Sequence, residues 1–290
     1  MSLLTELTER LPATAAIDYA PGSSGAAEPT ALLAIASLTA GLTDRAGQSS
    51  DWLADAQRED GSVTVRPAEE WPKWPTSLAI LAWHFTDKDR YAERIKKAVE
   101  WTLQFESKKM APDSDVGHDV TIIAWPWAEG THCWIEPTSL HLLSLRAIGK
   151  EHHLRYRDGI RVLLNRQLPG GGCNYGNTTV LGQMLRPHLL PSSLALLALS
   201  SEPREPAIMR SVAYLRKSLR EAQTIISACW AWQAANAFGE APSGAEAALR
   251  SQMEQVDQGD NNPYLYALLT LAAAGNDSPI VKLAQQGTSP

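Results

Sequence analysis

One phrase recurs along the chain: a proline, a small hydroxyl residue, then a leucine- and alanine-rich stretch almost free of charge. It stands as Pro29-Thr30-Ala31-Leu32, Pro75-Thr76-Ser77-Leu78, Pro137-Thr138-Ser139-Leu140 and Pro191-Ser192-Ser193-Leu194. Degenerate copies begin near Ser227-Ala228-Cys229-Trp230 and at Pro263-Tyr264-Leu265. About six copies, roughly 35 to 60 residues apart, fall in the range of helix-pair repeats. Proline suits the first turn of a helix, where its missing N–H would have no partner anyway. The adjacent hydroxyl is expected to serve the free amides of that turn. The run that follows, as in residues 194–199, is apolar on every side, so its helix must be buried on every side. Between these inner helices lie segments of another character. Residues 91–105 set Ile95, Val99 and Leu103 on one stripe with charges opposite, and similar patterns run over 50–57, 153–167, 207–219, 245–253 and, more weakly, after Pro279. One apolar stripe and one wet face predict outer helices. The alternation predicts an all-α fold, an α/α toroid with an α6/α6-like ring of inner and outer helices over residues 28–290, preceded by an N-terminal helix and linker over 1–27.

The bulk properties narrow the function. The chain has 290 residues, 44% of them hydrophobic, enough for a large core. A formal net charge of -6 supplies no field that would recruit nucleic acid. The cysteines Cys133, Cys173 and Cys229 are odd in number and show no CxxC spacing, so no disulfide framework is expected. The N-terminus lacks a basic leader followed by an apolar core, which together with the cysteines predicts a cytoplasmic protein. No apolar run is long enough to span a bilayer, although apolar helix faces leave room for peripheral membrane contact.

Tryptophan is the compositional outlier, at ten residues against three phenylalanines. Five of the ten sit in two loops entering inner helices: Trp71 and Trp74 before Pro75, and Trp125, Trp127 and Trp134, with His132, before Pro137. Aromatics gathered in Pro- and Gly-bearing loops line a pocket or lock the loop onto the body. In a ring of helix pairs, such loops collect at one mouth of the central cavity. These five tryptophans are therefore candidate ligand-binding residues, with Tyr175, Arg186 and His188 beside the next inner helix. Packing as a plug of that mouth is the plainer alternative.

Two outer segments end in shared punctuation. Leu53, Gln57 and Gly61 have the spacing of Leu163, Gln167 and Gly171. This resembles the QW repeat of squalene-hopene and oxidosqualene cyclases, with Val63 and Cys173 where that repeat places tryptophan. The turn from Gly170 to Asn177, followed by His188-Leu189-Leu190-Pro191-Ser192-Ser193, resembles the glycine-rich entry to an inner helix in cyclases and protein prenyltransferase β-subunits. The chain thus resembles the terpenoid cyclase and protein prenyltransferase superfamily over roughly residues 28 to 275, and most closely its short bacterial members with prenyltransferase/squalene oxidase repeats.

The resemblance implies a cavity for a hydrophobic, isoprenoid-type ligand. Class II cyclases protonate an alkene or epoxide with a DxDD acid. Asp113-Ser114-Asp115-Val116 keeps its first two acids and lacks the last. Glu136, just before Pro137, is a second candidate acid. Helix-start electrostatics would stabilise its carboxylate, and Glu28 holds the same place in the first repeat, so capping also explains both. His132 completes the candidate catalytic set. Protein prenyltransferases hold zinc through Asp, Cys and His. Cys173, His188 and one of Asp113, Asp115 or Asp119 could be assembled, but the paired Asp-x-Cys is missing, so neither a metal nor another cofactor is expected. Two other classes fit the same fold: a non-catalytic scaffold that binds a protein or lipid partner through the tryptophan-rich mouth, and a glycan-processing toroid using paired carboxylates.

Overall fold

A computed structural model describes residues 1–112, 116–222 and 224–286. The chain forms thirteen α-helices among the described residues, and a single two-stranded hairpin. It divides into two compact units, Met1–Thr102 with Pro242–Pro279, and Leu103–Ala241 with the segment from Ile280. No helix among the described residues is long and apolar enough to cross a membrane.

In the first unit the helices are α1 (Leu3–Arg10), α2 (Ala27–Thr39), α3 (Thr43–Asp55), α4 (Thr76–Asp87), α5 (Ala92–Gln104), α11 (Ala245–Gln258) and α12 (Pro263–Ala273). Helix α2 packs between α4 and α12, and it is buried almost throughout, from Ala27 to Ser37 apart from Glu28. Helices α3, α5 and α11 keep one buried stripe each, as Leu249, Met253 and Val256 do on α11. The second unit repeats the scheme. Helices α6 (Ile135–Ala147), α8 (Leu189–Leu199) and α10 (Ile225–Ala237) are the buried ones, with α8 between the other two. Helices α7 (Leu154–Asn165), α9 (Pro206–Leu219) and α13 (Pro279–Gln285) flank them. Each unit therefore contributes three inner helices, and each recurring Pro-Thr or Pro-Ser phrase opens one.

The hydroxyl in that phrase does something other than cap. The N-caps of α2, α4, α6 and α8 are Ala26, Pro75, Trp134 and His188, and none makes a side-chain cap bond. Instead, each hydroxyl clamps both backbone groups of one residue in the segment arriving at the helix. Thr30 Oγ1 accepts from Ile17 N–H at 3.2 Å and donates to Ile17 C=O at 3.1 Å. Thr76 holds Val63 at 2.8 and 3.3 Å, Thr138 holds Trp125 at 3.4 and 3.3 Å, and Ser192 holds Cys173 at 2.9 and 3.2 Å. The clamped residue lies 13 positions upstream in three repeats and 19 upstream in the fourth. The N–H of each arriving residue thereby finds an acceptor, while the carbonyls of Ile17, Trp125 and Cys173 also accept from the backbone N–H groups of Ala26, Trp134 and His188. Among the six inner helices, side-chain capping occurs in the degenerate copies, where Thr224 accepts from Ser227 N–H and Asn262 from Tyr264 N–H.

The paired glutamines tie successive outer helices. Gln57 Nε2 donates to Gly61 C=O at 3.0 Å and to Arg94 C=O of α5 at 2.9 Å, while Gln167 bonds Ser211 of α9. Gly61 and Gly171 both sit at φ +90°, and a Cβ on either would lie 2.3 Å from a carbonyl of the next outer helix, Lys97 or Arg210. Only glycine fits such an approach.

Candidate functional site

The sequence candidates fall in several places. In the first unit, Trp74 is buried at the start of α4, and the half-exposed Trp71 is covered by Lys73, whose Nζ sits 4.5 Å from the ring centroid and bridges to Asp60. Those two rings help seat the loop. In the second unit, Trp125 is fully buried, stacked at 5.2 Å on His141 with the Arg155 guanidinium 4.7 Å from its ring. Trp127 and Trp134 are partly buried. Asp113 and Asp115 lie outside the described residues.

Glu136 is buried in the first turn of α6, and its charge contributes to raising both the Cys173 thiol, pushed up to about 12 mainly by burial, and the Tyr175 phenol. Tyr175 and His188 stack at 5.0 Å beside them, and Arg186 is exposed, its carbonyl accepting from Asn174. Glu136, Tyr175 and His188 are thus brought together where α6 and α8 begin. Glu28, read from sequence only as a capping residue, has phenolic partners instead. It accepts from Tyr19 at 2.7 Å and Tyr264 at 3.0 Å, and burial outweighs these bonds to raise its pKa above the ordinary carboxylate value. The sequence shows the acid but not the two tyrosines, which arrive from 9 residues upstream and 236 downstream.

His132 belongs elsewhere, to a cavity of about 610 Å³ within the second unit. Its apolar walls are Met110, Val116, Val120, Ile122, Val180 and Leu181; its polar lining includes Lys108, His118, His132, Arg166 and Asn177, and no carboxylate among the described residues. One side is the hairpin β1 (Thr179–Val180) and β2 (Gln183–Met184). Burial lowers the His132 pKa, so its imidazole is neutral at pH 7, and its buried Nε2 has no partner among the described residues. The ring stacks on Trp134 at 4.5 Å. Thr178 N–H donates to His118 Nδ1 at 3.3 Å, which places the proton of a neutral His118 on Nε2. Arg166 follows α7 and is 3% exposed. Nothing in the sequence marks it, because a cation after the last turn of a helix reads as an ordinary dipole partner. Among the described residues no group of three His, Cys, Asp or Glu side chains gathers as metal ligands.

No protein-family profile matches the chain, and no curated protein matches it. Solved structures do. A type II terpene cyclase from Scytonema, in complex with geranylgeranyl dihydroxybenzoate, has TM-score 0.59 and 14% identity over 96% of this chain and 94% of that one. A glycosidase superposes with TM-score 0.62 and 12% identity over 96% and 97%, and a family 8 endoglucanase from Klebsiella pneumoniae with 0.53 and 14% over 92% and 98%. At such identities the likeness concerns the fold, which is all-α and of the α/α toroid kind.

Proposed function

We propose that this toroid protein binds a hydrophobic small molecule of isoprenoid type in the cavity of its second unit. One observation carries the reading: a cavity of about 610 Å³, in the size range of ligand sites, has six apolar side chains in its walls and no described carboxylate. The terpene cyclase neighbour carries a geranylgeranyl compound, which agrees with an apolar chain as ligand. Native mass spectrometry with squalene and geranylgeraniol tests the reading. Retention of either supports it, and loss of that retention in Ile122→Asp would place the ligand in this cavity. Retention of neither, with a protein partner co-purifying, would turn the reading toward a scaffold.

A second reading rests on Glu28. An acid whose pKa burial raises and that accepts from two phenols resembles a general acid, the group that cyclase and glycosidase chemistry both require. Turnover of a polyene or an oligosaccharide that Glu28→Gln abolishes would support it. Undiminished turnover in that variant would remove Glu28 from the chemistry.

A further inference from the structure

The three arginines buried or half-buried in the second unit are treated differently by their surroundings. Arg146 is surrounded by acceptors: it donates to Tyr156 Oη at 2.9 Å and to the carbonyls of Leu197 and Ala198 at the end of α8. Arg155 donates to the carbonyls of Phe105, Ile123 and Ala124. Arg166, just as buried as Arg146, has one contact, Nη2 to Cys133 Sγ at 3.6 Å. Its Nε and Nη1 are buried and find no acceptor among the described residues. A guanidinium carries five donors and is costly to bury uncompensated. Desolvation lowers its pKa to about 10, which still leaves it charged at neutral pH. The fold therefore keeps a cation with no acceptor for its Nε and Nη1 among the described residues at the wall of a cavity with six apolar side chains.

From this geometry we infer that Arg166 is the anchor for an oxyanion, and that the ligand is an amphiphilic anion: an apolar chain ending in a carboxylate or a phosphate. The planar fork of a guanidinium matches both groups through paired N–H bonds. One other feature points the same way: Lys108, exposed, also lines this cavity. No described lining residue would repel an anion. The apolar walls on Val116, Val120, Ile122 and the hairpin then receive the chain. This deepens the hydrophobic-ligand reading and rests on it for the chain, but the anion site makes its own claim.

Titration calorimetry on the full chain, with laurate, dodecyl phosphate, dodecanol and inorganic phosphate, separates the two. The expected result is that laurate or dodecyl phosphate binds at least tenfold more tightly than dodecanol, and that Arg166→Met erases this difference while leaving dodecanol binding intact. The better of the two anions identifies the head group, and binding of inorganic phosphate alone, lost in Arg166→Met, would assign the site to a free ion. Equal binding of laurate, dodecyl phosphate and dodecanol, unchanged in Arg166→Met, overturns the anion site and leaves the apolar cavity standing. Phosphate binding without dodecanol binding overturns the apolar cavity and leaves the anion site. Because methionine removes an uncompensated charge, ligand-free Arg166→Met should melt no lower than the wild type. A lower melting temperature together with loss of dodecanol binding would make Arg166 a structural residue and overturn the inference.

Discussion

The hydroxyl of each repeat phrase carries more of the fold than its place in a helix suggests. Thr76 Oγ1 accepts from the N–H of Val63, which is fully buried, and its single O–H is shared between Lys73 C=O at 2.7 Å and Val63 C=O at 3.3 Å. Valine at that position keeps the shape and strands the Val63 N–H in the core. An orphaned buried polar group costs about 1–3 kcal/mol. Urea unfolding of Thr76→Val should therefore show a loss of about that size with an unchanged slope, whereas Thr76→Ser should lose much less. If Thr76→Val were neutral, the clamp would be incidental to stability. The hydroxyl was legible in the sequence as a recurring residue, but its partner was not. Capping is a local rule, and the clamped residue lies 13 positions away across a loop whose path only packing determines. The same blindness hid the phenols around Glu28 and the missing acceptors around Arg166.

At the level of elements, the fourth repeat differs from the other three by the six residues that lengthen its clamp spacing, and the hairpin from Thr179 to Met184 is six residues long. Those residues supply Thr179, Val180, Leu181 and Gly182, so one wall of the cavity comes from the segment by which this repeat is longer. The turn at its tip is costly. Leu181 and Gly182 both have positive φ, 49° and 73°, as a two-residue hairpin turn requires, yet leucine is a poor left-handed residue, and here it is 96% exposed. Exposure returns none of that strain, which sparse conformations at functional sites commonly carry. Leu181→Asn should thus stabilise the hairpin by about 1 kcal/mol while weakening any apolar ligand. A sharper test removes residues 179–184. Leu185 N–H already donates to Thr178 C=O at 2.9 Å, so the ends to be joined are adjacent. Far-ultraviolet circular dichroism should remain that of the wild type, and squalene or dodecanol binding should disappear. Binding that survives the deletion would mean that the hairpin is no wall of the site.

For the whole molecule, inner and outer helices were legible because burial on all sides and burial on one side leave different periodicities in the sequence. The cavity left no such trace, since it arises between loops whose residues look like any polar connection. The glutamine–glycine pairs lie between these cases: their spacing was visible, and their function, tying α3 to α5 and α7 to α9, follows from two glycines that admit a carbonyl at 2.3 Å from an added Cβ. A property of the entire fold, its response to acid, follows from histidines in both units. His84, His132 and His141 all have their pKa lowered by burial, His141 to about 3. Each is therefore neutral when folded at a pH where the unfolded chain, near 6.5, begins to take up protons. Since the unfolded state binds more protons in that window, stability falls as pH drops below about 6.5, for His141 down toward 3 and for His84 and His132 until each reaches its own lowered folded pKa, at a slope approaching about 1.4 kcal/mol per unit for each histidine fully engaged. Glu28 works in the opposite sense: its raised folded pKa lets the native state gain this proton first, a contribution that is fully present below the ordinary carboxylate pKa, is lost as pH rises through the raised value, and so offsets part of the loss as pH falls. Replacing His141 with phenylalanine, which keeps an aromatic ring against Trp125, should flatten the fall in urea midpoint between pH 6.5 and 4.5 while changing the midpoint at pH 8 little. Replacing Glu28 with glutamine should steepen it. An unaltered slope in His141→Phe would show that this imidazole is protonated in the native state, against the burial that surrounds it.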